Sequence, residues 1–92
     1  MIKSFRHKGL ERFWLTGKKS GIQARHAKKL LDLLEAMDAA KVLDDIDGPG
    51  WRLHELKGIF KDRWSVTVNK NWRLTFKFEN GDVYVINYED YH

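Results

Sequence analysis

Residues able to do chemistry are few in this chain and fall late in it. Four histidines occur, His7, His26, His54 and His92, and the last belongs to the closing stretch NYEDYH with Asp90 and Tyr91. Cysteine is absent, and neither HExxH nor HxH appears, so the histidines have no spacing that suits a zinc site. Asp44, Asp45 and Asp47 crowd a turn-like stretch, as solvated loop acids do, and do not read as a magnesium site. GxxxxGK[ST], GxGxxG and GxSxG are all missing, which removes phosphate-loop hydrolysis and serine-triad chemistry. Imidazole, guanidinium, amine, phenol and carboxylate remain. That set suits cleavage of RNA without a metal: a base takes the 2′-hydroxyl proton, an acid protonates the departing 5′-oxygen, and cations hold the charge that builds on phosphorus oxygens. The same residues also fit a non-catalytic basic module that binds RNA or regulates.

The elements that must position these groups divide into a helical half and a β half. IKSF (2–5) alternates as a short edge strand. HKGLERFWLTG (7–17) places Leu10, Phe13 and Trp14 on one helical face and ends at a capping Gly17. From Gln23 to Ala40, Ala27, Leu30, Leu31, Leu34 and Met37 form an apolar stripe that Leu33 widens. Arg25, Lys28, Lys29, Asp32 and Glu35 face away, as a solvated face or, with Lys18 and Lys19, as a phosphate-steering patch. The turn cluster DDIDGPG (44–50) separates the halves.

Beyond it come WRLHEL (51–56), a polar loop KGIFKD (57–62), RWSVTVN (63–69), WRLTFKFE (72–79) and DVYVINYE (82–89). Asn80-Gly81 is a hairpin signal, because a type I′ turn needs positive φ at both central residues. The expected fold class is α+β: an N-terminal strand, two helices, then an antiparallel meander. With regular alternation Trp64, Val66, Val68, Trp72, Leu74, Phe76 and Phe78 share the face that meets the helices. Ser65, Thr67, Arg73, Thr75 and Lys77 make the opposite, polar face.

Ninety-two residues make one domain, 1–92. Seventeen Lys and Arg against thirteen Asp and Glu leave a net charge of +4, which favours a polyanionic partner. No run approaches the length of a membrane span, and MIKSFRHKG lacks a signal-peptide core. With no cysteine, a cytoplasmic protein without membrane partners is expected.

RLHELKG (52–58), WSVTVNKNWRLTFKFENGD (64–82) and VINYEDYH (85–92) closely resemble the HigB toxins of the RelE superfamily, and MIKSFRHKGL at the start matches as well. The resemblance covers nearly the whole chain. It implies a microbial-RNase-like domain and a bacterial type II toxin that cuts mRNA in the ribosomal A site, with no metal or other cofactor. It also implies neutralisation by a HigA-like helix-turn-helix antitoxin. His54 and Lys57 match the LHxLKG block, Arg73 matches NWR, and Asp90, Tyr91 and His92 match the terminal motif, as catalytic positions. Asn71, like Lys57 and Arg73, is implied to contact RNA. KVLDDIDGPGW (41–51) and IFKDR (59–63) match poorly. Negative charge from Asp90 and the α-carboxylate would favour a protonated His92 as the acid, leaving His54 as the base. Asp90, Tyr91 and His92 can line one site only if the chain leaves strand geometry after about Tyr88.

Overall fold

A computed structural model of the chain describes residues 1–58 and 62–90. Its architecture is α+β, two helices on one face of a four-stranded antiparallel sheet in the order β1-β2-β3-β4. Helix α1 (Lys8–Thr16) is capped at its start by His7, whose Nδ1 accepts the Leu10 N–H at 2.9 Å, and at its end by Gly17 in the left-handed region. Gly9 and Gly21 let α1 and the following loop touch backbone to backbone. A Cβ on Gly21 would lie 2.5 Å from Gly9 Cα. A short 3₁₀ turn, Ala24–His26, leads into α2 (Ala27–Ala39). In α2 the buried stripe is Ala27, Leu30, Leu33, Leu34 and Met37. Leu31, expected in that stripe, is exposed: it lies one residue past Leu30, about a hundred degrees around the helix.

The turn cluster holds more structure than its composition suggests. Leu43–Ile46 is a 3₁₀ turn that drops Ile46 fully into the core. Asp45 Oδ2 accepts the N–H groups of Lys41 and Val42, which holds its carboxyl below the ordinary range. The expected strand over 51–56 shrinks to β1, His54–Glu55, because Arg52 takes a positive φ of 54° that interrupts extended geometry. The polar loop expected over 57–62 lies partly outside the described residues.

The other strands fall where alternation placed them: β2 is Trp64–Asn69, β3 Trp72–Glu79 and β4 Asp82–Asp90. Asn80 and Gly81, with φ of 52° and 81°, close the β3–β4 hairpin. One apolar face of the sheet buries Val66, Val68, Leu74, Phe76, Val83, Ile86 and Tyr88 against Leu10, Phe13, Leu30, Leu33, Leu34 and Met37. The N-terminal segment lies along β4 in parallel, through bridges at Ile2–Val83 and Phe5–Ile86.

One extra residue interrupts β4. Thr75 faces Asn87 while Lys77 faces Tyr84, so Val85 and Ile86 together stand opposite Phe76. Val85 has φ of 49°, a conformation β-branched residues rarely adopt. Its N–H donates to Ser4 Oγ at 2.8 Å, so the bulged amide is satisfied. Because of the bulge, Val83 and Ile86 both point into the core, as do Ile86 and Tyr88 beyond it.

A polar cluster lies within the helix-facing side. Gln23 N–H donates to the Tyr88 oxygen at 3.4 Å, which leaves the phenol proton for His26 Nδ1, 2.6 Å away. His26 is 2% exposed, and its Nε2 has no hydrogen-bond partner among the described residues. Edge-on contacts join His26 to Trp72 and His7 to Tyr88. Burial, helped by the Arg25 charge, lowers the affinity of His26 for a proton; burial also lowers that of His7 and raises the Tyr88 phenol.

Two measurements check this description. Val85→Gly should raise stability in urea unfolding by about 1 kcal/mol, because relief of backbone strain exceeds the added unfolded-state entropy. Both histidines have folded proton affinities below the ordinary value of 6.5. Their neutral forms therefore contribute stability that is complete above pH 6.5 and is lost as pH falls through the lowered folded values. The unfolding free energy from urea titrations should drop on acidification with a slope of at most about 1.4 kcal/mol per pH unit per histidine. His26→Phe should flatten that slope.

Candidate active site

Strand pairing carries side chains of the polar face into rows. Antiparallel partners point to the same side, so Thr67, Arg73 and Glu89 form one row, and His54, Ser65, Thr75 and Asn87 the next. Ser65 and Thr75 are buried, small floors between longer neighbours, so this face is not the flat open surface that its alternation suggests. Two clefts of about 340 and 330 Å³ lie over these rows and share Arg73. His54, Asn71 and Arg73 line the first together with Arg52, Thr67 and Lys70. The second is lined by Arg73, Thr75, Asn87 and Glu89, with Arg6 and Arg63 above them.

Arg73 is the hinge of the site. Its Nε donates to Glu89 Oε1 at 2.8 Å, and its side chain is only 18% exposed. A guanidinium is planar, so one such bond fixes the plane in which its fork lies. Sequence reasoning missed Glu89. Without the Val85 bulge, Arg73 would stand opposite Tyr88, and nothing in a β-branched valine signals a bulge.

His54 is exposed, and its Nδ1 lies 2.8 Å from the Arg52 carbonyl oxygen. A carbonyl only accepts, so Nδ1 carries hydrogen and a neutral His54 has its lone pair on Nε2. The positive φ of Arg52 is thus part of the site, because it turns that carbonyl toward the ring. Lys57 is exposed beyond β1 and is outside the described linings of both clefts. Asp90 stands opposite Trp72, at the sheet end that also carries Asn71. Strand geometry continues through Asp90 and does not end near Tyr88 as expected, so Asp90 alternates with Glu89 and lies on the Tyr88 side. Tyr91 and His92 lie outside the described residues, and so does most of the 59–63 stretch.

The fold is one that bacterial toxins share. The chain superposes on a chain of the heterotetrameric YoeB-YefM toxin-antitoxin complex from Staphylococcus aureus with a TM-score of 0.64 at 19% identity, covering 100% of this chain and 95% of that one. It superposes on YafQ from E. coli strain BL21(DE3) with a TM-score of 0.54 at 16% identity, covering 92% and 86%. Residues 3–92 match the family of the RelE-like toxin of type II toxin-antitoxin system HigB. The chain is 47% identical over 92 residues to the endoribonuclease HigB of Proteus vulgaris, covering 100% of both. To the toxin HigB-1 of Vibrio cholerae serotype O1 it is 35% identical over 83 residues, covering 88% and 87%. This chain belongs to the HigB family of RelE-like toxins of type II toxin-antitoxin systems.

A double-mutant cycle with Arg73→Met and Glu89→Gln should give a coupling of about 0.5–1 kcal/mol in urea unfolding. Glu89→Gln alone should weaken growth arrest on induction while leaving the fold intact by circular dichroism.

Proposed function

We propose that this chain is an endoribonuclease that cuts translated mRNA on the ribosome, without a metal, and so arrests growth. The arrangement of Arg73 between two clefts on the polar sheet face, with His54 beside it, carries this reading. The Proteus vulgaris relative is named an endoribonuclease, and the net charge of +4 suits a polyanionic substrate.

His54 Nε2 takes the proton of the 2′-hydroxyl. The 2′-oxygen attacks the adjacent phosphorus, forming a 2′,3′-cyclic phosphate as the bond from phosphorus to the 5′-oxygen breaks. His92 gives the leaving 5′-oxygen its proton. Arg73 and Lys57 offset the charge that grows on the nonbridging oxygens. Asp90 and Tyr91 act with His92, and Asn71 contacts RNA beside Arg73. The family motifs, not the cleft geometry, supply the proposed catalytic set of His54, Lys57, Arg73, Asp90, Tyr91 and His92, with Asp90 leaving β4 on the Tyr88 side. Neutralisation falls to a HigA-like helix-turn-helix antitoxin; membership of a type II family and the antitoxin-bound structural neighbours support an antitoxin partner, and the HigA type rests on the family resemblance. Among the described residues no helix is long and apolar enough to cross a membrane, and the reading places the protein in the bacterial cytoplasm, where ribosomes are.

The test is a purified translation mixture. Added protein should cut mRNA when ribosomes are present and should leave it intact without them. His54→Ala or Arg73→Ala should reduce cutting at least a hundredfold, and Arg73→Lys should not restore it, since an ammonium lacks the planar fork. Intact mRNA in the presence of ribosomes overturns the enzymatic reading.

A further inference from the structure

The bulge at Val85 does more than repair the core pattern. With regular alternation from Asn87, which faces the clefts, Val85 and Val83 would face out and Tyr84 would face in. The extra residue reverses that parity: Val83 is fully buried, and half-buried Tyr84 emerges on the polar face opposite Lys77. The strained backbone at this β-branched residue thus brings a tyrosine to the polar face.

Tyr84 lines a third cleft of about 360 Å³ with Arg63, Lys77 and Glu79. That cleft shares Arg63 and Val85 with the one beneath Arg73, so these three clefts adjoin along the described part of the polar face. Arg73, Thr75 and Lys77 are alternate residues of β3, and Lys77 lies about 13 Å along the strand from Arg73. Two cations stand against one carboxylate in the third cleft. The ion pair of Lys77 with Glu79, 3.4 Å long, has side chains 40% and 55% exposed, so it opens readily to another anion.

A cationic groove floored by an upturned aromatic ring is how proteins hold single-stranded nucleic acid away from a catalytic centre. We propose that Tyr84, Lys77 and Arg63 form a second nucleotide subsite, remote from the scissile linkage, in which Tyr84 stacks on a base and the two cations take the neighbouring phosphate. The subsite rests on the reading of the polar face as an RNA-cutting site, extends it by at least one nucleotide, and is indifferent to base identity, since every base has a π-face.

Oligoribonucleotides methylated at every 2′-oxygen bind without being cut, and lengths from two to eight nucleotides can be compared by fluorescence anisotropy. Affinity for the unmodified-sequence protein should step up about tenfold once the strand reaches the third cleft. Tyr84→Ala should abolish that step without altering the affinity of the shortest strands, and Tyr84→Phe should keep it. Lys77→Gln, a surface change that leaves the fold undisturbed, should reduce the slope of log affinity against log salt by about 0.7 for long strands only. Absence of the length step, or a Tyr84→Ala loss that is equal at all lengths, overturns the subsite. A protein that shows the step yet cuts no mRNA on ribosomes retains the subsite and loses the enzymatic reading, so the two failures are distinguishable.

Discussion

A single inserted residue sets the register on which this molecule depends. The Asn80-Gly81 turn fixes the pairing of β3 and β4 from one end, and Val85 shifts it by one position halfway along. Upstream of the shift, Val83 enters the core; downstream, Ile86 and Tyr88 do. The same shift puts Glu89, not Tyr88, across from Arg73. Core and site are therefore coupled through backbone parity: a β4 without the extra residue would send a tyrosine into the polar cleft and a carboxylate into the helix interface. Ser4 makes the shift tolerable by taking the amide that the bulge frees, which explains why the N-terminal segment must lie against β4.

The two faces of the sheet treat titratable groups in opposite ways. On the helix side, His26 and Tyr88 are buried beside Trp72 and share one short hydrogen bond, and burial lowers the imidazole's affinity for a proton. On the cleft side, His54 is exposed and its tautomer is set by one backbone carbonyl. Burial suits the first histidine to packing, and a single backbone carbonyl orients the second. Trp72 packs on Tyr88 at 4.7 Å between ring centres while its chain neighbour Arg73 lies in the clefts, so β3 presents the two environments on adjacent residues.

Most of the fold was legible because it rests on period and turn chemistry. The spacing of Leu10 and Phe13, the stripe from Leu30 to Met37, the Asn80-Gly81 pair and the alternation of Trp64 to Phe78 are local signals, and each element formed where they pointed. Leu33, expected only to widen the stripe, is fully buried while Leu31 is exposed, because a stripe read in one dimension does not say where its centre faces. Arg73 was legible as a polar-face residue for the same reason as the strands. Glu89, Tyr84 and Arg52 were not. The roles of the first two depend on a bulge at a residue whose type opposes one, and that of Arg52 on a left-handed backbone in a non-glycine residue. Such strained positions follow from tertiary packing, and local propensity argues against them.

The edges of the sheet carry a further consequence. On one side β1 spans two residues, and on the other the N-terminal segment meets β4 through two isolated bridges. Among the described residues, neither margin offers the long, flat row of unpaired amides and carbonyls that templates growth of a sheet from one molecule to the next. A protein whose half-polar sheet must stay open to solvent is thereby protected from aggregating through these margins, even at high concentration.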